Sequence, residues 1–156
     1  PAPLLRQMKK RPGSWREVFG TDADEFFHAW SIASYTNEIA AAGKAVKPLP
    51  MYMNAALAGA FGRQPASTYA SGGPVHFVID VYKAAAPAID IVAPDIYTRD
   101  HAAYIAYLDY YDRPDNALFV PETGNDKDFA RFFFPAVGKG AIGFAPFGMD
   151  YTGYYN

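Results

Sequence analysis

Apolar residues recur at helical spacing in four stretches of the chain. The first predicted helix begins near Thr21, where Asp22 and Glu25 have the spacing of a capping box, and ends at Gly43. The second helix begins near Pro74, with an apolar face of Val75, Val78, Ile79 and Tyr82. The third begins near Asp100, with an apolar face of Tyr104, Leu108 and Tyr111. The fourth begins near Asn125, with an apolar face of Phe129, Phe132 and Phe133. The β-branched residues of 75–82 also fit a strand, although a first-turn proline favours the helix.

Four short apolar runs alternate with these helices and predict strands. The predicted strands span 48–54, 89–95, 117–121 and 141–145, and a loop rich in Gly, Ala and Ser covers 55–73. A helix–strand order that repeats four times is typical of an α/β fold in which helical crossovers connect parallel strands.

The length of the chain bounds the architecture. A complete (β/α)8 TIM barrel takes about 250 residues. Four helix–strand units in 156 residues therefore correspond to half of one, and a small open sheet is the alternative. Residues 1–20 contain three prolines and Gly13 and are predicted to be a connecting segment without regular elements, which leaves 21–156 as a single partial domain.

Composition and charge exclude several classes of protein. Hydrophobic residues make up 51% of the chain, charged residues 19%, and the net charge is −2, so a packed core rather than disorder is expected. No apolar run approaches the roughly 20 residues of a membrane helix. A slightly acidic chain lacks the basic face of a nucleic-acid binder. We therefore expect the protein to bind neither a membrane nor a nucleic acid. The absence of cysteine excludes thiol nucleophiles and zinc thiolate sites.

Three predicted strands end with a proline that precedes a side chain of chemical interest. These side chains are Asp95, Glu122 and Phe147. Proline has no N–H, so it suits the point where a parallel ladder ends. All three would lie at the carboxyl edge of the sheet, where α/β enzymes hold their active sites. Glu122 fits both an ionised nucleophile and a carboxylate that caps the next helix, and spacing does not separate the two.

Four motifs in order carry a resemblance to a known family. They are LPMYMNAA at 49–56, IVAPDIY at 91–97, VPETGN at 120–125 and GKGAIGFAPFGMD at 138–150. Together they resemble strands five to eight of a bacterial β-galactosidase of glycoside hydrolase family 35, or of its relatives in clan A. The resemblance covers nearly the whole chain.

The resemblance implies a TIM barrel and retaining hydrolysis of β-galactosides or related oligosaccharides. It makes Glu122 the nucleophile and Tyr97 the residue that orients it. In the leading hypothesis Asn54 and Asp95 contact sugar hydroxyls and Phe147 bounds the sugar subsite, although Asp95 also fits a structural role. This chemistry uses two carboxylates and neither a metal nor a cofactor. The second carboxylate would come from an N-terminal half of the barrel, outside this chain. An exported location, periplasmic or secreted, is weakly favoured.

Two sequence features imitate other sites. Asn37-Glu38 imitates the family's Asn-Glu pair, but the nine residues between it and the next predicted strand are too few for a crossover helix. The segment 138–143 matches the GxGxxG pattern of dinucleotide-binding enzymes. It follows a helix and leads into an apolar run that cannot be helical, so we predict a turn.

The remaining candidates support a second functional hypothesis. Aromatic residues make up 17% of the chain, and no acid/base partner for Glu122 is found in it, so a non-catalytic carbohydrate-binding module is the alternative. Phe26, Trp30, Phe132 and Phe133 are predicted to be core residues, and Asp150 is predicted either to contact sugar hydroxyls or to be structural. Tyr151, Tyr154 and Tyr155 are predicted either to lie on the active-site face or to pack on another domain. His28, His76 and His101 are not expected to bind metal.

Overall fold

The computed structural model describes residues 2–150, which form a parallel sheet with helices. Its four strands in this range are β1 (Tyr52–Ala56), β2 (Ile91–Ile96), β3 (Val120–Thr123) and β4 (Phe144–Pro146), and their order in the sheet is the order in the chain. Every pairing is parallel. The predicted α/β class and parallel sheet are therefore confirmed.

Seven α-helices within residues 2–150 precede or connect the strands. They are α1 (Ala2–Gln7), α2 (Trp15–Phe19), α3 (Ala23–Val46), α4 (Ile79–Ala85), α5 (His101–Tyr111), α6 (Lys127–Ala130) and α7 (Phe133–Gly138), with short 3-10 turns at Gly20–Asp22, Ala66–Thr68 and His76–Val78. No helix in this range is both long and apolar enough to cross a membrane.

The core lies between one face of the sheet and the helices. In β1, Ala55 is fully buried whereas Tyr52, Asn54 and Ala56 are exposed, as expected for side chains that alternate across a strand. The opposite face is open at these positions. The largest fully buried side chains are Tyr82, Tyr104, Tyr111, Phe129 and Phe132, which lie on α4, α5 and α6 and in the turn before α7. Apolar burial against one sheet face holds the fold together.

The helix predicted near Pro74 is confirmed, and it starts later than expected. A 3-10 turn at His76–Val78 leads into α4. The predicted apolar face is buried, with Val75, Val78, Ile79 and Tyr82 each at most 1% exposed. The strand alternative for 75–82 is therefore wrong.

The prediction that residues 1–20 form a segment without elements is wrong. This region contains α1 and α2. Leu4 is fully buried, and α1 packs on α4, so a contact distant in sequence stabilises a helix that local propensity does not predict. A capping box is present at the start of α2, where Ser14 Oγ accepts from the Glu17 N–H and the Glu17 side chain accepts from the Ser14 N–H.

The capping box predicted from Asp22 and Glu25 does not form. Asp22 precedes α3 without a side-chain capping bond and instead pairs with Arg63, with 2.9 Å between Oδ2 and the guanidinium nitrogen. Glu25 is buried and accepts hydrogen bonds from the Tyr69 hydroxyl, the Ser71 hydroxyl and the Gly72 N–H. Both acids anchor the loop after β1 to the start of α3. Glu25 needs these partners because a buried carboxylate requires hydrogen bonds.

The third strand begins three residues later than predicted, at Val120. The reason is Asn116, whose side chain accepts from the Val92 N–H at 2.8 Å and donates to the Val92 carbonyl at 2.9 Å. These two groups of β2 would otherwise be available to a neighbouring strand. The pairing of β2 with β3 starts further along, at Asp95 with Glu122.

The last predicted helix is broken in two, and its first part, α6, begins two residues after Asn125. Asp126, not Asn125, caps α6 through a hydrogen bond from the Asp128 N–H. Phe129 and Phe132 are buried as predicted, whereas Phe133 is 46% exposed and is not a core residue. The break at 131–132 turns α7 relative to α6, which moves Phe133 off the buried face.

Candidate functional site

Four side chains predicted to have functional roles meet at the carboxyl edge of the sheet. Asn54 lies on β1, Asp95 on β2 and Glu122 on β3, and Tyr97 directly follows β2. The Tyr97 hydroxyl donates to Glu122 Oε1 at 2.7 Å. Asn54 Nδ2 donates to Asp95 Oδ1 at 2.8 Å and to Glu122 Oε2 at 3.4 Å. The structure therefore joins these four residues, which we call the carboxylate cluster, in one hydrogen-bonded network.

The strand register explains why the cluster forms. Asp95 is aligned with Ala56 of β1 on one side and with Glu122 of β3 on the other. Asn54 lies two residues before Ala56 and thus projects from the same face of the sheet. Parallel strands all end at one edge, so polar residues near their ends converge.

The strand that carries Glu122 rests on a buried aromatic support. Thr123 Oγ1 donates to the Ile96 carbonyl at 2.6 Å and lies 3.0 Å from the Tyr104 hydroxyl. The Tyr104 ring stacks on Phe132, with 3.8 Å between ring centroids and 4° between planes. Burial raises the pKa of Tyr104 to about 12, so its hydroxyl stays neutral. These contacts fix the backbone next to Glu122.

Gly124 completes this support by allowing a close approach. A Cβ added at Gly124 would lie 2.2 Å from the Phe129 ring, a separation that real Cβ atoms do not show. Phe129 itself is 1% exposed. A side chain at this position would displace a core ring directly beneath the cluster. The glycine two residues after Glu122 is the sequence signal that could have predicted this close approach.

The electrostatic environment of the carboxylate cluster raises the pKa of Asp95. Burial, and then the negative charge of Glu122, raise the pKa of Asp95 to about 6, while the hydrogen bond from Asn54 opposes this rise. Asp95 therefore takes up a proton in mildly acidic solution. The like charge of a neighbouring carboxylate acts in the same direction as desolvation, since both disfavour a second negative charge.

Phe147 and Asp150 lie at the same edge, beside a separate depression. Phe147 directly follows β4, is 45% exposed, and its N–H donates to the Thr123 carbonyl at 2.8 Å. Phe147 and Asp150 line an open depression of about 670 Å³, together with Pro121 and Ala145. Their predicted contacts with a ligand remain predictions. The predicted roles of Tyr151, Tyr154 and Tyr155 concern residues outside the described part of the chain.

An exposed apolar depression beside α7 was not predicted from the sequence. It has a volume of about 500 Å³ and is lined mainly by Phe133, Phe134, Phe144 and Met149. Phe134 is 74% exposed and Met149 72%. The three consecutive phenylalanines at 132–134 were the available signal, because a helix can bury only part of such a run.

The features set aside in the sequence analysis lie away from the cluster. Glu38 is within α3 and not at the end of a strand. Gly138 ends α7, and 139–143 connect α7 to β4. Among residues 2–150, no group of three or more acidic, histidine or cysteine side chains could hold a metal ion. His76 stacks on Tyr110 with 4.3 Å between ring centroids, and burial lowers its pKa.

No protein-family model matches the sequence, and no curated protein matches it.

Proposed function

We propose that this chain is the nucleophile-bearing part of a retaining glycoside hydrolase that acts on terminal β-galactosides. The observation that carries the proposal is the environment of Glu122, whose two carboxylate oxygens accept hydrogen bonds from Tyr97 and Asn54 at the carboxyl edge of a parallel sheet. Hydrogen bonds to a carboxylate favour its charged form and fix its direction. A glycosidase nucleophile needs both.

In the proposed reaction, an oxygen of Glu122 attacks the anomeric carbon of the sugar. The bond from that carbon to the glycosidic oxygen breaks, and the leaving oxygen takes a proton from a second carboxyl group. Water then attacks the same carbon and gives a proton to that second group. The glycosyl ester breaks, and Glu122 is restored as a carboxylate. No cofactor takes part in this proposal.

The second carboxyl group is proposed to come from an N-terminal half of a TIM barrel. A retaining enzyme needs it about 5–5.5 Å from the nucleophile. Asp95 is adjacent to Glu122, but its short side chain is hydrogen-bonded to Asn54 at the base of the cluster. The exposed positions of β1 and the two edge strands, β1 and β4, support a partner half, because parallel sheets are normally covered on both faces.

Covalent trapping tests the proposed function in the complete protein. A 2-fluoro galactosyl donor with an activated leaving group needs little acid assistance and should leave its sugar on Glu122. Mass spectrometry of the digested protein should then find the label on the peptide that contains Glu122. A label on Asp95 would overturn the assignment of the nucleophile. Saturable sugar binding without any label would instead support the non-catalytic carbohydrate-binding module.

Replacing Tyr97 by Phe should lower kcat by about 10- to 100-fold, because a hydrogen bond to a charged group contributes about 1.5–3 kcal/mol. The Tyr97 hydroxyl contacts Glu122 directly, whereas its ring is 38% exposed, so the fold should be unaffected. Tyr35→Phe is the matched control, since Tyr35 lies on α3 and is 67% exposed. Steady-state kinetics of both variants make the comparison, and equal rates would show that Tyr97 does not orient the nucleophile.

A further inference from the structure

The amide of Asn54 is fully engaged by the two carboxylates. A side-chain amide nitrogen has two hydrogens to donate. Asn54 Nδ2 directs them to Asp95 Oδ1 and Glu122 Oε2, at 2.8 and 3.4 Å. Only the carbonyl oxygen of Asn54 is left for a substrate hydroxyl. Its amide nitrogen therefore links two acids on adjacent strands.

The two acids are held side by side by the sheet itself. Asp95 and Glu122 are aligned residues of β2 and β3, and both are partly buried. Neighbouring strands of a sheet lie about 4.8 Å apart. Asn54 Nδ2 contacts one oxygen of each acid, so the negative charge of Glu122 lies close enough to raise the pKa of Asp95.

We propose that Asp95 and Glu122 form an amide-bridged carboxyl pair, in which a proton on Asp95 regulates the attack of Glu122 on the sugar. Asp95 then acts on the reaction through its charge, and Asn54 is a positioning residue because its amide contacts both acids. This inference rests on the proposed function for the role of Glu122. It goes further by naming the group that controls how the site responds to pH.

The surroundings of the pair assign the proton to Asp95. Both oxygens of Glu122 accept hydrogen bonds, one from Tyr97 and one from Asn54. The pKa of Asp95, in contrast, is raised to about 6 by burial and by the charge of Glu122. Tyr111 on α5 also interacts electrostatically with Asp95, and burial raises the pKa of that phenol further, so Tyr111 stays neutral.

The direction of the pH effect follows from this charge state. As the pH rises through about 6, Asp95 loses its proton and the pair gains one negative charge. The transition state of glycoside cleavage develops positive charge on the sugar ring. Two negative charges beside that ring stabilise it better than one. Glycosyl transfer to Glu122 should therefore become faster as the pH rises through the midpoint of Asp95.

Carbon-13 NMR of the complete protein labelled at aspartate side chains tests the pair without reference to catalysis. Asp95→Asn assigns the resonance by its disappearance. In the parent protein the Asp95 carboxyl should titrate near pH 6. In Glu122→Gln its midpoint should fall by about half a unit or more, because the neighbouring charge is gone. A midpoint that does not move in Glu122→Gln would overturn the pair.

The rate of covalent labelling by the 2-fluoro galactosyl donor tests the regulatory role. Between pH 5 and pH 7 the parent rate should rise about tenfold. Asp95→Asn should lack this rise, because it removes the group that titrates near pH 6. Asp112→Asn, a change at an exposed C-cap of α5, should keep it. If the labelling rate of Asp95→Asn rises with pH as in the parent protein, the regulatory role of Asp95 is overturned and the proposed function is not. No labelling at any pH, with Asp95 still shifted by Glu122→Gln, would overturn the proposed function and leave the pair supported.

Discussion

Replacing Glu122 by Gln should reduce the turnover of an aryl galactoside by the complete protein at least about 10⁴-fold, because the amide that replaces the carboxylate is a poor nucleophile. The side chain keeps its size, and Oε1 can still accept from the Tyr97 hydroxyl. The bond from Asn54 is long, at 3.4 Å, so little stability is lost with it. Steady-state kinetics together with a thermal melt separate loss of chemistry from loss of fold.

Glu38→Gln is the matched control for this experiment. It makes the same chemical change at an exposed position of α3, away from the carboxylate cluster. We expect this control to keep the turnover and the melting temperature of the parent. Near-normal turnover in Glu122→Gln would show that Glu122 is not the nucleophile, and equal losses in both variants would point to a general effect of removing acidic charge.

Replacing Phe132 by Ala should lower the free energy of unfolding by about 3–5 kcal/mol, the usual cost of removing a buried phenylalanine ring. Phe132 is fully buried and stacks on Tyr104, which in turn contacts Thr123 beside the proposed nucleophile. The cavity would thus open beneath the strand that carries Glu122. Chemical denaturation of the complete protein, followed by circular dichroism, measures the loss.

Phe134→Ala provides the comparison within the same run of phenylalanines. Phe134 is 74% exposed on α7, so its removal should change the free energy of unfolding by no more than about 0.5 kcal/mol. A loss as large as that of Phe132→Ala would mean that the apolar depression beside α7 is covered in the complete protein. A small loss for Phe132→Ala would contradict the aromatic support described for β3.

Local sequence signals were sufficient for several elements. Asp100 caps α5 as predicted, since its side chain accepts from the Ala103 N–H three residues later. Tyr104 and Leu108 share its buried face. Such signals are read within one or two helical turns, so the rest of the fold hardly changes them.

Elements that depend on distant contacts were misplaced. The capping role predicted for Asp22 failed because Arg63, 41 residues away, binds its carboxylate. The start of β3 moved because Asn116 bonds to Val92, 24 residues earlier in the chain. Short polar side chains have several partners within reach, and their choice is made by packing that a single sequence does not reveal.

The sequence by itself determined the alternation of helices and strands, the parallel sheet, and the position of Asp95 and Glu122 at the ends of adjacent strands. Those follow from apolar periodicity and from prolines at strand ends, which are local properties. Only the tertiary structure decided that Asn54 bridges the two acids, across 41 and 68 residues of chain, and that burial raises the pKa of Asp95 to about 6. Hydrogen-bond partners and desolvation depend on strand register and on neighbouring atoms, and both are fixed only when the chain has folded.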